Sequence, residues 1–244
     1  MINNSGVPTA FIFPVPSWAL SRLDYTPAVV LLTHHPRALD ALRAPSAEEP
    51  WRVLVSGCLA AWPCGVSGDD YGLGKALSGL LALPAIRALP FCPEQYAIGT
   101  PRTMPDIHGG DGVDVLAGRA RVLDEHGVDL TQKMIDGARA MRDFAIAERA
   151  ELAILTDMSA ACGSQVISDG CRLVEVRRFQ KGVGVAAAAL LEAGIPIVSQ
   201  RDFHTLALLR RRLDPTYEPS PDARDHHDHP WTLEHLPGPH PRAR

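Results

Sequence analysis

Short apolar runs alternate with helical patterns through the middle of the chain. Predicted strands lie at residues 52–56, 88–91, 151–155 and 195–199, and predicted helices at residues 75–89, 131–149, 183–193 and 203–213. Strands that are joined by crossover helices pair in parallel, and the helices then cover both faces of the sheet. The sequence therefore predicts an α/β protein: a three-layer α/β/α, Rossmann-like fold with a mainly parallel sheet.

Composition divides the 244 residues into three regions. Residues 1–50 form a proline-containing N-terminal extension, in which an apolar run at 28–33 predicts a strand and residues 40–44 a helical turn. Residues 51–213 are predicted to form the single α/β domain. Residues 214–244 are rich in Pro, His, Asp and Arg without periodicity, which predicts a disordered tail. The five histidines of this tail match the spacing of no closed metal site.

Charge and cysteine content narrow the class of protein. A net charge of −4 argues against nonspecific electrostatic binding to nucleic acid or to an anionic membrane. No run reaches the roughly 18 apolar residues that span a bilayer, and residues 11–20 lack the basic start and cleavage site of a signal peptide. Five cysteines are too few for a disulfide scaffold of this size, so we predict a reducing, cytoplasmic location.

Three cysteines lie in the segments that follow predicted strands. Cys58, Cys92 and Cys162 each stand next to a glycine or a proline. The loops after the carboxyl ends of parallel strands meet in one crevice, so these thiols can share a site. Thiolates suit iron–sulfur clusters or zinc. The alternative is that they are ordinary small, buried side chains.

An ordered set of segments resembles the thiouracil desulfidase family, formerly a domain of unknown function. The matching segments are residues 53–64 (VLVSGCLAAWPC), 91–95 (FCPEQ), 99–102 (GTPR), 127–138, 153–163, 167–170, 182–185 and 194–197. Together they cover about residues 52–200, so the extension and the tail lie outside the resemblance.

The resemblance implies a [4Fe-4S] cluster that is held by three cysteines and leaves one iron open to the sulfur of the substrate. By position, the ligands are Cys58, Cys92 and Cys162. Cys64 also matches a cysteine of the family and is the alternative ligand or a pocket residue. Cys171 matches none, and we predict a structural role for it.

The family's catalytic acid and hydroxyl fall on Glu94 and Ser159. The implied reaction is non-redox and hydrolytic: it converts the thiocarbonyl of a small, thiouracil-like heterocycle to a carbonyl and releases hydrosulfide. Glu94 would activate a water that Ser159 holds. The remaining predicted substrate contacts are Ser56, Cys64, Arg102, Gly182 and Gly184. Arg102 has an ion pair as its alternative role, and the two glycines have tight helix packing as theirs.

Two departures from the family pattern concern the substrate more than the cluster. Residues 65–68 read Gly-Val-Ser-Gly where the family has Arg-Tyr-Asp-Gly, which removes a pocket charge. Residues 159–162 read Ser-Ala-Ala-Cys instead of Ser-Pro-Ser-Cys, which removes one hydroxyl.

Three other functions stay open at this stage. One is a non-catalytic zinc or iron–sulfur protein, since four thiols can close a zinc site. Another is a partner that passes sulfur to a second enzyme. The third is desulfidation of RNA, for which Arg210, Arg211 and Arg212 are the basic cluster, although the acidic net charge favours a small thiolated substrate. A homodimer is a candidate for the assembly.

Overall fold

The computed structural model describes residues 31–243 of the chain. Its centre is a four-stranded parallel sheet in the order β2-β1-β5-β8. The sheet strands are β1 (Trp51–Ser56), β2 (Ile86–Phe91), β5 (Leu152–Leu155) and β8 (Ile197–Ser199). Two antiparallel pairs stand beside it: β3 (Asp106–His108) with β4 (Arg121–Leu123), and β6 (Val166–Ser168) with β7 (Phe179–Lys181).

Helices cover the sheet on both faces. They are α1 (Pro36–Ala41), α2 (Ser78–Leu81), α3 (Pro93–Ala97), α4 (Gly112–Leu116), α5 (Thr131–Ala147), α6 (Val185–Glu192), α7 (Phe203–Leu213) and α8 (Pro230–His235). Short 3₁₀ turns lie at Leu32–His34, Gly57–Ala60, Leu73–Lys75 and His226–Asp228. Among residues 31–243, no helix combines the length and the apolarity that crossing a membrane requires.

Alternate strand residues supply two separate hydrophobic cores. Leu54 of β1 packs with α5 and α6 on one face, whereas its neighbours Val53 and Val55 pack with α1, α2 and α7 on the other. Side chains of a strand point alternately to opposite faces, so a strand buried on both sides must be apolar throughout. The predicted three-layer fold and its four parallel strands are therefore confirmed.

The prediction of a helix over residues 75–89 was wrong in its second half. Helix α2 covers only Ser78–Leu81, and the residues from Ile86 onward form strand β2. This strand pairs with β1 over six residues, from Trp51 opposite Ile86 to Ser56 opposite Phe91. Leucine and alanine favour a helix locally, but pairing with the buried central strand overrides that preference.

The N-terminal extension differs from its predicted structure where it can be compared. The apolar stretch at 11–20 and residues 28–30 lie outside the described residues. Leu31 makes one parallel bridge to Ile197, the chain then turns through Leu32–His34, and α1 begins at Pro36 rather than at residue 40. Proline favours this first helical position because it needs no N–H partner there.

The structure also differs from the expectation of a disordered tail. Residues 214–243, here named the C-terminal segment, pack against the domain. Trp231 lies edge-on to Phe179, Thr205 donates to Asp225, and the exposed fraction of His226 is only 6%. Composition alone favours a solvated segment, but individual polar side chains of the segment find buried partners on the domain.

Candidate active site

A cavity of about 300 Å³ opens at the carboxyl ends of the sheet strands. Strand β1 lies between β2 and β5, so the loops after these three strands are neighbours. The connection after β1 runs to β2 on one side, whereas the connection after β5 runs to β8 on the other. The carboxyl ends of β1 and β5 therefore flank the point where parallel α/β sheets bind ligands. Cys58, Cys92 and Cys162 all line the cavity, as does Cys64. The sequence prediction that the strand ends bring these thiols together is confirmed.

Cys64 is hydrogen-bonded to two of the other three thiols, those of Cys58 and Cys92. Cys58 lies in the 3₁₀ turn after β1, where its Sγ is 2.9 Å from Oγ1 of Thr156. The hydrogen bond with Cys64 is the main reason that the pKa of Cys58 is lowered, and Thr156 adds to it. Cys92 is the N-cap residue of α3, and its pKa is also lowered, chiefly by Cys64. In turn, the pKa of Cys64 is raised by its hydrogen bonds to Cys58 and Cys92. Cys64 is thus the least acidic of these three thiols, and Cys58 and Cys92 are the more acidic two.

Cys162 approaches the cavity from the opposite side, on the loop after β5. Its exposed fraction is 6%, and burial raises its pKa well above the usual value, against a hydrogen bond from Ser56 that lowers it. The hydroxyl of Ser56 also accepts the N–H of Thr156 at 3.0 Å, which ties the ends of β1 and β5 together. Predicted contact residue Ser56 thus lines the cavity and holds its two central strands in register.

Cys171 is half-buried and is not among the residues that line the cavity. Within residues 31–243, no three His, Cys, Asp or Glu side chains are spaced to hold a single metal ion.

Glu94 and Ser159 are in contact, although 65 positions separate them in the chain. The Ser159 hydroxyl donates to Oε1 of Glu94 at 3.2 Å and accepts the N–H groups of Ala161 and Cys162 at 3.2 and 3.1 Å. Glu94 follows β2 and Ser159 follows β5, so the pair bridges the two sides of the cavity. A carboxylate and a hydroxyl that share a proton beside clustered thiols can hold and deprotonate a water molecule.

Arg102 faces Glu94 and forms an ion pair with it. Its guanidinium donates to Oε2 of Glu94 from Nη2 at 2.5 Å and from Nε at 3.1 Å. The remaining nitrogen, Nη1, donates to the carbonyl groups of Cys64 and Gly99 and to the hydroxyl of Thr100. Only 4% of the Arg102 side chain is exposed. Of the two roles that the sequence left open, the geometry favours the ion pair, which orients the Glu94 carboxylate.

Gly182 and Gly184 lie away from the cavity lining. The N–H of Gly182 donates to the carbonyl of Gln165, and that of Gly184 to the carbonyl of Gly163. A Cβ on Gly184 would stand 2.5 Å from the carbonyl carbon and oxygen of Ala161, closer than real contacts allow. The N–H groups at the start of α6 bind carbonyls of the Cys162 loop, so they are not available to a ligand. Close helix packing is the reason for these glycines.

Several residues that line the cavity escaped the sequence analysis. Gln200 and Arg201 directly follow β8, so the argument from strand ends that found the cysteines applies to them too. Arg172 comes from the loop between β6 and β7, and its guanidinium pairs with the buried Asp106 at 2.6 Å. No local sequence signal marks Arg172, because the contact joins positions 66 residues apart.

Comparison with known proteins agrees with this geometry. The model of the 2-thiouracil desulfurase family matches residues 53–202, which include all four cavity cysteines together with Glu94 and Ser159. The chain belongs to the 2-thiouracil desulfurase family. The resemblance noted from the sequence segments is thereby confirmed.

Two relatives align with this family region. The uncharacterized protein YbbK of Bacillus subtilis (strain 168) is 32% identical over 155 residues, which is 63% of this chain and 99% of YbbK. A solved structure, that of the [4Fe-4S]-dependent thiouracil desulfidase TudS, has a TM-score of 0.53 and 30% identity. That alignment covers 65% of this chain and 97% of TudS. The desulfurase region thus forms about two thirds of the chain, and further residues precede and follow it.

Arginines line the cavity of this family member despite its departure from the family pattern at residues 65–68. The loop places Val66 rather than a charged side chain at the cavity. Arg172 and Arg201 line it from the other strand ends. The charge of Arg172 is paired with that of the buried Asp106.

Proposed function

We propose that this protein is a [4Fe-4S]-dependent desulfidase, which replaces the sulfur of a small thiocarbonyl heterocycle of the thiouracil class by oxygen. The observation that carries this proposal is one contact: Glu94 meets Ser159 inside a cavity that four cysteines line. Membership of the 2-thiouracil desulfurase family and the similarity to TudS support the same reaction.

The cysteines fit an iron–sulfur cluster by their chemistry and their placement. Cys58, Cys92 and Cys162 come from three neighbouring strand ends and present only sulfur to the cavity, the donor type that iron–sulfur clusters take. These three would hold the cluster. Cys64, whose pKa is raised by its hydrogen bonds to Cys58 and Cys92, would then donate to the ligand sulfurs. Gly57 allows this crowding, since a Cβ there would lie 3.2 Å from Sγ of Cys64.

When bound, the cluster supplies a Lewis-acidic iron that polarises the carbon–sulfur bond of the substrate. The protein residues supply the water. Arg102 binds Oε2 of Glu94 and orients the carboxylate, so its Oε1 can accept a proton from a water molecule that faces the thiocarbonyl carbon. Ser159 lies on the same oxygen of Glu94 and holds that water in line.

The reaction balances without an oxidant or a reductant. A carbon–oxygen bond to water forms, the carbon–sulfur bond breaks, one proton of the water passes through Glu94 to the leaving sulfur, and the other is released to solvent. The products are the carbonyl heterocycle and hydrosulfide. General base assistance of this kind contributes roughly 10²–10⁴ in rate, so Glu94 accounts for part of the catalysis and oriented binding for much of the rest.

The first test is metal and sulfide analysis of protein purified without oxygen. We expect about four iron and four acid-labile sulfide per chain, as in other cysteine-held [4Fe-4S] proteins. Incubation with 2-thiouracil should then release hydrosulfide and uracil in equal amounts. One zinc per chain without sulfide would contradict the proposal and would indicate a closed structural site. A full cluster without turnover of any thiolated pyrimidine would contradict the enzymatic part alone.

A further inference from the structure

Asp157 closes the loop that carries Ser159 and Cys162. It directly follows Thr156 at the end of β5, and its side chain is fully buried. Oδ1 of Asp157 accepts three backbone N–H groups from the far end of the loop, those of Ser164, Gln165 and Val166, at 3.0, 3.1 and 3.2 Å. One carboxylate oxygen thus ties residue 157 to residues 164–166, and the two catalytic positions lie within the closed loop.

The second oxygen of the same carboxylate is held by the C-terminal segment. Nδ1 of His226 lies 2.5 Å from Oδ2 of Asp157, and both side chains are buried. The backbone N–H of His226 donates to Oδ1 of Asp202 at 3.1 Å, and this second hydrogen bond fixes the position of the His226 backbone. Asp202 also binds the hydroxyl of Thr33 and the N–H of Ser199, so His226 is anchored to the sheet.

We propose that His226 is a positioning residue of the desulfidase site. Through Asp157 it holds the loop in the shape that sets the Ser159 hydroxyl against Glu94 and presents Cys162 to the cavity. Without the imidazole, Asp157 would keep its three N–H groups on one oxygen and lose the partner of the other. A buried carboxylate with an unpaired oxygen is costly, so the loop would relax toward solvent.

The electrostatics of Asp157 agree with this role. Burial would raise the pKa of Asp157, but the hydrogen bond and charge of His226, together with the N–H groups of the loop, lower it below the usual value. The carboxylate therefore stays ionised, and the contact with His226 is a charge-assisted hydrogen bond, which is stronger than a neutral one.

His226 lies outside the region that the desulfurase family model matches, which ends at residue 202. The positioning contact therefore joins the family region to the C-terminal segment. It assigns a function to a part of the chain whose composition predicts none.

The inference rests on the proposed function, so its test begins with a measurement that needs no turnover. Hydrogen exchange of the backbone N–H groups of residues 164–166 is compared between wild type, H226N and H226Q, in protein without the cluster. Asparagine places its side-chain nitrogen close to the position of histidine Nδ1 and can restore the bond, whereas glutamine extends one carbon further. R242M is the control, because Arg242 anchors the same segment through Asp111, away from this loop.

We expect exchange at residues 164–166 to rise by about tenfold to a hundredfold in H226Q, the effect of losing one charge-assisted hydrogen bond. H226N should exchange much as wild type does, and R242M should leave this loop unchanged. In protein with the cluster, kcat of H226Q should fall by about tenfold with KM within twofold, because the water-holding hydroxyl rather than substrate binding is displaced.

Three results would overturn the inference. One is unchanged exchange at residues 164–166 in H226Q. Another is an increase spread evenly over the chain and equal to that of R242M, which would mean general destabilisation. The third is a local increase with kcat unaltered. A wild-type protein that turns over no thiolated substrate would count against the proposed function, whereas the exchange data would still decide whether His226 fixes the loop.

Discussion

The two sides of the cavity are built differently. On the side of β1 and β2, the thiol of Cys64 is hydrogen-bonded to those of Cys58 and Cys92, and these hydrogen bonds lower the pKa of Cys58 and Cys92. On the side of β5, Cys162 is hydrogen-bonded to Ser56 rather than to a thiol, burial raises its pKa, and buried Asp157 holds its loop. The first side is suited to form thiolates, whereas the second is suited to hold a fixed shape. The positive charge of a bound metal group would favour the thiolate form of Cys162, which burial disfavours.

Serine substitution of the proposed ligands should produce the largest effect. C58S, C92S and C162S should each reduce iron and sulfide from about four per chain to nearly none, because a three-cysteine set has no spare ligand. The measurement is metal and sulfide analysis after anaerobic purification. C171S is the matched control and should keep the cluster, since Cys171 does not line the cavity. Retention of the cluster in C162S alone would mean that the β5 side supplies shape only.

Substitution of Glu94 should separate catalysis from cluster binding. E94Q keeps the side-chain volume but cannot accept a proton, so kcat should fall by about 10²–10⁴. Iron and sulfide content should stay as in wild type, since Glu94 contacts Arg102 and Ser159 rather than a thiol. Steady-state release of hydrosulfide measures the first quantity and metal analysis the second. Full activity of E94Q would exclude it as the general base.

These two experiments concern residues that the sequence could identify. Each proposed ligand lies in the loop after a strand, and parallel strands bring their ends together, so the position along the chain was enough to place Cys58, Cys92 and Cys162 in one cavity. The family motifs then supplied Glu94 and Ser159. For the cysteines and for the pair of Glu94 and Ser159, the residues that identify the site lie in the loops that follow β1, β2 and β5.

Contacts between distant segments could not be obtained in this way. Strand β2 was mistaken in part for a helix because its leucines and alanines favour a helix until β1 is there to pair with. His226 was predicted to lie in a solvated tail. Its partner Asp157 lies 69 positions earlier in the chain, and only folding brings the two side chains together. The glycines before α6 were predicted as substrate contacts because the sequence does not reveal that the Cys162 loop already occupies the N–H groups at the start of this helix.

The packing of α6 against the Cys162 loop gives a third test. In G184A, the added methyl group would overlap the Ala161 carbonyl, so the free energy of unfolding should fall by about 1–3 kcal/mol, as for other overpacked sites. Chemical denaturation of protein without the cluster measures it. G79A is the control, because a Cβ there meets only the end of the Arg210 side chain, at 3.6 Å. This change within α2 should be neutral or stabilising by about 1 kcal/mol. An unchanged stability of G184A would show that the loop can move aside.

The smallest expected effect concerns the thiol network itself. In protein without the cluster, C64A removes the donor that lowers the pKa of Cys58 and Cys92, so both values should rise. The thiolate fraction near pH 7 should then decrease, and the rate of alkylation by iodoacetamide should fall with it and recover at higher pH. Iron and sulfide content after reconstitution should stay near wild type. Loss of iron in C64A would instead identify Cys64 as a ligand.

The order of strands in the sheet also bears on how the protein matures. Cys58, Cys92 and Cys162 come from strands that are adjacent only after two long crossovers have formed, so the unfolded chain contains no preformed set of ligands. Parallel pairing between distant segments is a slow step of folding. A cluster that needs all three thiols would therefore be inserted after the sheet closes, by a donor that meets a folded chain. By binding the folded state alone, it would then protect the protein against unfolding and degradation.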